Sequence, residues 1–149
     1  MKLLIATAVA TMFGSTVAIA GATAPQEVKF DEGSVTASLT GVAGDATEGR
    51  VVFANRKLGN CLACHVNTEM PEQSFQGEVG PALDEAADRY DEAQLRGIVS
   101  NSKMTFDGTI MPAFYVQDGY FRPLKGFEGA SILTAQQVED VVAYLMTLK

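Results

Sequence analysis

Cys61-Leu62-Ala63-Cys64-His65 is the stretch of this chain whose residue types and spacing point most directly to chemistry. A C-x-x-C pair with a histidine directly after it is what covalent attachment of a c-type haem requires. The two thiols add across the vinyl groups of the ring as thioethers, and the next side chain projects toward the iron. His65 thereby becomes the proximal axial ligand. Competing chemistries fail on counting. A zinc site takes about four nitrogen or sulfur ligands, whereas this chain holds 2 cysteines and 1 histidine, all inside the pentapeptide. A thioredoxin-like pair belongs in a βαβ setting, which the neighbouring sequence does not provide. A short structural disulfide is compatible with an exported protein but leaves His65 without a role.

An iron held by His65 on one side takes a second ligand, a water or an open position on the other. With 1 histidine in the chain, a second histidine ligand from the same chain is excluded, and methionine is next in order. Beyond the first residues the candidates are Met70, Met104, Met111 and Met146. Met146 falls in an apolar helical pattern where packing explains it. Met70 is so close to His65 in the chain that the opposite face of the ring is hard to reach. Of Met104 and Met111, Met111 is favoured, because Pro112 restricts its backbone to extended conformations and holds a thioether at fixed depth. Lys57 and Lys103 are weaker candidates for the same position. A methionine opposite a histidine raises the reduction potential and fills both axial sites, which suits electron transfer.

These residues need elements to position them. Asp45 with Glu48 resembles a capping box, and Val52, Phe53 and Arg56 follow at helical spacing, predicting a helix from about Ala46 to Lys57. Gly49 and Phe53 share one face of it, where a glycine lets another helix approach. Asn67 to Gly80 reads as a loop closed by Gly80-Pro81. A short helix is expected over Leu83 to Tyr90. Another starts at Asp91, with Gln94 completing its cap and Leu95, Ile98 and Val99 forming an apolar stripe. Asn101 to Ser131 carries Met111 and is rich in aromatics: Phe106, Phe114, Tyr115, Tyr120, Phe121 and Phe127. Its length without regular pattern suggests a functional loop, here one wrapped over a haem. Thr134 and Gln137 then cap an amphipathic terminal helix bearing Val138, Val141, Val142, Leu145 and Leu148.

The chain begins with a basic Lys2, a mostly apolar run from Leu3 to Val17, and small residues suited to cleavage after Ala20 or Ala22. That is the form of a secretory signal over residues 1–22, interrupted by Gly14, Ser15 and threonines and too short for a stable membrane span. Export fits covalent haem, whose attachment is characteristic of compartments outside the cytoplasm, and the expected location is periplasmic. The mature chain then has an extended or coiled N-terminal segment over 23–44, followed by the haem domain over 45–149. The formal charge is −7 in 149 residues, 18 acidic against 11 basic. By its field this chain is no nucleic-acid binder, and such a charge instead steers toward basic patches on protein partners.

The order helix, haem motif, Gly-Pro loop, helix, Met-Pro loop and terminal helix resembles the class I cytochrome c fold. The resemblance implies an all-α domain of about three to five helices around one covalently attached haem c per chain, with a long Met-bearing loop. In that family the first helix, here with Gly49 and Phe53, crosses the last helix near an aromatic, here Tyr144. The carbonyl of the proline matching Pro81 accepts a hydrogen bond from the haem-ligating histidine. The strings Asn55-Arg56-Lys57-Leu58-Gly59-Asn60, Val79-Gly80-Pro81, Asp88-Arg89-Tyr90, Leu95-Arg96 and Thr109-Ile110-Met111-Pro112-Ala113-Phe114 are, more closely, similar to the SoxX family, the monohaem subunit of the SoxAX thiosulfate-oxidising complex. That similarity implies a SoxA-like partner carrying the catalytic cysteine and a SoxYZ-like carrier protein as acceptor of thiosulfate. The overall activity would be an L-cysteine S-thiosulfotransferase, with electrons passing on to an acceptor such as another cytochrome c. This chain would accept electrons and contribute no catalytic residue, which agrees with both its cysteines being consumed as thioethers. The alternative is a free-standing periplasmic electron carrier.

Overall fold

The computed structural model describes residues 21–149; the signal expected at 1–22 falls almost wholly outside them. The described residues form four α-helices, α1 (Ala46–Ala54), α2 (Ala86–Arg89), α3 (Glu92–Asn101) and α4 (Ala135–Leu145). Before and between them lie short 3₁₀ turns, at Pro25–Glu27 ahead of α1 and at Cys61–Ala63, Ser102–Met104 and Lys125–Phe127 further on. The only strand-like pairing among the described residues is an isolated bridge between Asp31 and Ser34. No helix among them is long and apolar enough to cross a membrane.

The apolar spacing of α4 dictates the core. Val138, Val141, Val142 and Leu145 fall on one face and are buried together with Leu148, and α4 packs on α1 and α3. Its start is fixed by a complete capping box, Thr134 with Gln137, and the same device at Asp91 and Gln94 starts α3. At α1 the cap is one-sided. The Asp45 carboxylate accepts from Thr47 N and Glu48 N, but the Asp45 amide donates to Asp140 Oδ1 of α4 at 2.9 Å, so Glu48 has no amide to return to. α1 crosses α4 at Gly49: a Cβ there would run into the backbone carbonyl of Asp140 and lie 2.9 Å from Tyr144 Cβ. One turn on, Phe53 meets Tyr144 edge to face, centroids 5.4 Å apart, an arrangement aromatic quadrupoles favour.

Two expected helices are shorter than their patterns suggest. α1 ends at Ala54, not Lys57, because Asn55 turns extended and its Oδ1 takes the Lys57 amide at 2.9 Å. This leaves Arg56 outside the helix. The helix expected over Leu83 to Tyr90 is reduced to the single turn of α2, since Glu85 before it adopts a left-handed φ of 62°.

The segment from Thr23 to Gly44 is extended with turns, and it lies on its own chain. Val35 and Leu39 are each 2% exposed within the core, and Val35 N donates to Ala93 O at 2.9 Å. A glycine pair permits the approach: a Cβ on Gly97 of α3 would collide with Gly33 O and sit 3.1 Å from Ser34 Cα. The segment is buckled by Arg96, 4% exposed, which bonds both oxygens of the equally buried Glu139 at 3.0 and 3.1 Å and donates to Val35 O at 3.0 Å. Glu139 Oε1 also accepts from Leu39 N and Ser38 Oγ. The buried charges are thus paired and saturated with hydrogen bonds, the condition under which such a pair is tolerated.

Candidate functional site

Asn60, with φ 48°, turns the chain sharply into the 3₁₀ turn at Cys61–Ala63. In a 3₁₀ turn residues i and i+3 eclipse, so Cys61 and Cys64 lie on one side while Leu62, between them, is buried in the core. The two cysteines are free and not joined to each other. Cys61 Sγ packs against Gly59, 3.2 Å from the place a Cβ would occupy. Burial pushes the Cys61 thiol up to about 12, so this position disfavours a thiolate. A neutral thioether suits it, which is the state haem attachment would create. Among the described residues no cluster of His, Cys, Asp and Glu could hold a metal ion by itself.

His65 is held on two sides. Its Nδ1 lies 2.7 Å from the Pro81 carbonyl oxygen; the carbonyl can only accept, so Nδ1 is the donor, the tautomer that leaves Nε2 as the nitrogen to face a metal. Gly80 lies flush against the ring: an added Cβ would be 2.7 Å from Nδ1 and 2.9 Å from Nε2, and closer still to Cε1. Gly80 N in turn donates to Cys64 O at 2.7 Å, closing the 67–80 loop back onto the pentapeptide. The sequence marks Gly80-Pro81 as a loop end. Only the structure gives Gly80 its function of letting the backbone reach the imidazole.

The 67–80 loop is tied down more tightly than its polar composition suggests. Asn67 is fully buried; its amide donates to Gln76 Oε1 at 2.6 Å and its Nδ2 to the Tyr144 hydroxyl at 2.8 Å. Gln76 Nε2 reaches Met70 O at 3.0 Å. Burial raises the Tyr144 phenol above its ordinary range, with the Asn67 bond opposing. The loop is therefore anchored to α4 through the aromatic that also packs on α1.

The four methionines separate by environment. Met70 is fully buried in the core and Met146, at the end of α4, is half-buried against it. Met104 is 52% exposed. Met111 is half-buried and packed against the core, and side chains bind both its backbone groups: Thr109 Oγ1 accepts from its N at 3.2 Å, and Ser102 Oγ donates to its O at 2.8 Å. Lys103, a weaker axial candidate in the sequence, has its Nζ on Thr109 O and Met111 O, both at 2.6 Å. Arg56 and Lys57 are exposed beside the haem motif, with Arg56 lining a cavity of about 460 Å³ alongside Asn60, Leu62 and Phe75. The aromatics of the long loop divide. Phe114 and Tyr115 are buried, Tyr120 donates to Ala113 O and Val116 O, and Phe121 is 91% exposed, so the loop does not turn all its rings inward.

Taken together, two cysteines on one side of a tight turn and an imidazole oriented by Pro81 and admitted by Gly80 fit a covalently attached haem. Comparison with known proteins agrees. The family model for cytochrome c matches residues 46–149. Among solved structures, a chain in the crystal structure of SoxXA from P. pantotrophus is similar at 55% identity, with 86% of this chain and 98% of that chain covered and a TM-score of 0.82. The c-type cytochrome SorU from Sinorhizobium meliloti is 27% identical over 69% of this chain and 88% of its own, with a TM-score of 0.44, too loose a superposition to bear on the fold. No curated protein matches.

Proposed function

This chain belongs to the cytochrome c family, and within it to the SoxX cytochromes, and from that premise we propose that it is the electron-accepting subunit of a periplasmic SoxAX-type complex. Its fold is class I cytochrome c-like, its cofactor is a covalently attached haem c and its chemistry is electron transport. In the proposed arrangement Cys61 and Cys64 are the thioether positions, His65 Nε2 is the proximal ligand and Met111 the distal one. Bound there, the haem supplies a one-electron acceptor. Pro81 keeps Nδ1 protonated and the ring oriented, and Gly80 makes room for that contact.

The proposed overall reaction joins thiosulfate to a cysteine thiol of a SoxYZ-like carrier. A new sulfur–sulfur bond forms, the thiol releases one proton, and two electrons leave, one at a time, through this chain to an acceptor such as another cytochrome c. One observation carries the division of labour: every cysteine and histidine of the chain lies in one pentapeptide, and its two sulfurs are committed to the haem. No thiol is left to carry sulfur, so the sulfur-bearing cysteine belongs to the SoxA-like partner. Exposed Arg56 and Lys57 beside the motif are placed to help set the docking register.

The test is reconstitution. The isolated oxidised holoprotein mixed with thiosulfate should stay oxidised, and adding a SoxA-like cytochrome and a SoxYZ-type carrier should give thiosulfate-dependent reduction. Thiosulfate turnover by the single chain contradicts the proposal. Efficient service to a terminal acceptor without any association with a SoxA-like cytochrome would make the chain a free-standing carrier instead.

A further inference from the structure

The turn that follows α3 is built around the backbone of Met111. Ser102, fully buried, donates its hydroxyl to Met111 O at 2.8 Å and reaches Pro112 O at 3.3 Å. Lys103 Nζ bridges Thr109 O and Met111 O, both at 2.6 Å. A surface lysine ordinarily points to solvent or to a carboxylate; among the described residues Lys103 forms no ion pair, and both its bonds go to carbonyls of the methionine loop. Such charge-assisted bonds are stronger than neutral ones.

The turn is itself well anchored. Asn101 Oδ1 accepts from Lys103 N at 3.2 Å, and Ser102 O accepts from Thr105 N and Phe106 N at 3.2 and 2.9 Å. Thr105 Oγ1 donates to Gly33 O at 3.3 Å, which ties the turn to the N-terminal segment where it crosses α3. Residues 105–113 have no helix or strand of their own. Side-chain bonds from Ser102 and Lys103 therefore do for Met111 what a backbone ladder does elsewhere, and they limit the conformations over which its thioether is spread.

We propose that Ser102 and Lys103 are positioning residues that hold Met111 at the depth of the haem iron and so decide how readily an external ligand can displace it. This rests on Met111 being the distal ligand. The apparent affinity of an outside ligand scales with the fraction of molecules whose methionine has left, so loosening the carbonyl clamp raises that affinity without changing the haem or His65.

The test is imidazole titration of the oxidised holoprotein, followed by loss of the ferric methionine-to-iron absorption band. Lys103→Met, at an exposed position that should not compromise folding, is expected to bind imidazole about fivefold more tightly than the parent. Ser102→Ala with Lys103→Met should reach about tenfold or more, and Lys103→Arg should recover most of the parent behaviour. Met111→Ala is the control for the underlying assignment. If it keeps the band, Met111 is not the ligand and both readings fall together. If it loses the band while Lys103→Met and the double variant bind imidazole like the parent, the positioning role is overturned and the assignment of Met111 stands.

Discussion

Gly80→Ala places a single methyl group against the His65 imidazole. Gly80 is not among the residues with positive φ, so alanine can adopt its backbone conformation and the penalty is steric. The added Cβ would lie 2.7 Å from His65 Nδ1, whereas unstrained heavy-atom contacts sit at about 3.5 Å or more. The ring must then retreat by roughly 1 Å, since its Cε1 is closer still to the added carbon. If it does, the Nδ1 to Pro81 O separation grows from 2.7 Å to about 3.5 Å or more, beyond a useful N–H···O bond. Overpacking of this kind costs about 1–3 kcal/mol, and losing the bond that orients an axial histidine weakens metal holding by about 10–100-fold. The assay is chemical denaturation of the holoprotein together with paramagnetic NMR of the haem methyl groups, whose shifts follow the orientation of the axial imidazole. Gly126→Ala is the control, since a Cβ there meets nothing within 4 Å. A Gly80→Ala protein as stable as the parent, with unchanged methyl shifts, would refute the argument that this glycine exists to admit the imidazole.

Two further outcomes follow from the buried polar groups. Arg96→Met should lower stability by about 3–5 kcal/mol, because it strands Glu139 at 4% exposure and frees the Val35 carbonyl; denaturant midpoints measure it, and a loss below about 1 kcal/mol would place the N-terminal segment's anchorage elsewhere. Burial raises the Tyr144, Tyr115 and Tyr120 phenols, so above about pH 10 the unfolded chain releases protons that the folded chain retains. Stability should then fall as pH rises through that range, and Tyr144→Phe should make the fall shallower; an unchanged slope would count against a buried, protonated Tyr144.

Local signals in the sequence carried much of this structure. Complete capping boxes at Asp91 and Thr134 mark the starts of α3 and α4, and the apolar faces behind them are the buried ones. The Gly49 and Phe53 face of α1 does cross α4 at Tyr144. What escaped depends on contacts remote in sequence. Nothing near Arg96 says that it is buried, because its partners Glu139 and Val35 lie 43 and 61 positions away. For the same reason the sequence does not say what the apolar residues of the N-terminal segment lie against, until Gly97 is seen to admit Gly33. The shortened α2 follows from a left-handed Glu85, a conformation that glutamate does not advertise. At the site, the motif identifies the haem-binding residues by type and spacing, but the clamp on Met111 comes from Ser102 and Lys103, which carry no motif and act only through loop geometry.

In the proposed holoprotein both sulfurs of the pentapeptide are bound to the haem and none remains for sulfur chemistry. Intact mass of the purified protein after acid-acetone extraction and unfolding in an alkylating agent tests it directly. The expected product is a polypeptide heavier by one haem, with no added alkyl group. Haem that leaves into the organic phase, or a chain that takes up one or two alkyl groups, would contradict it.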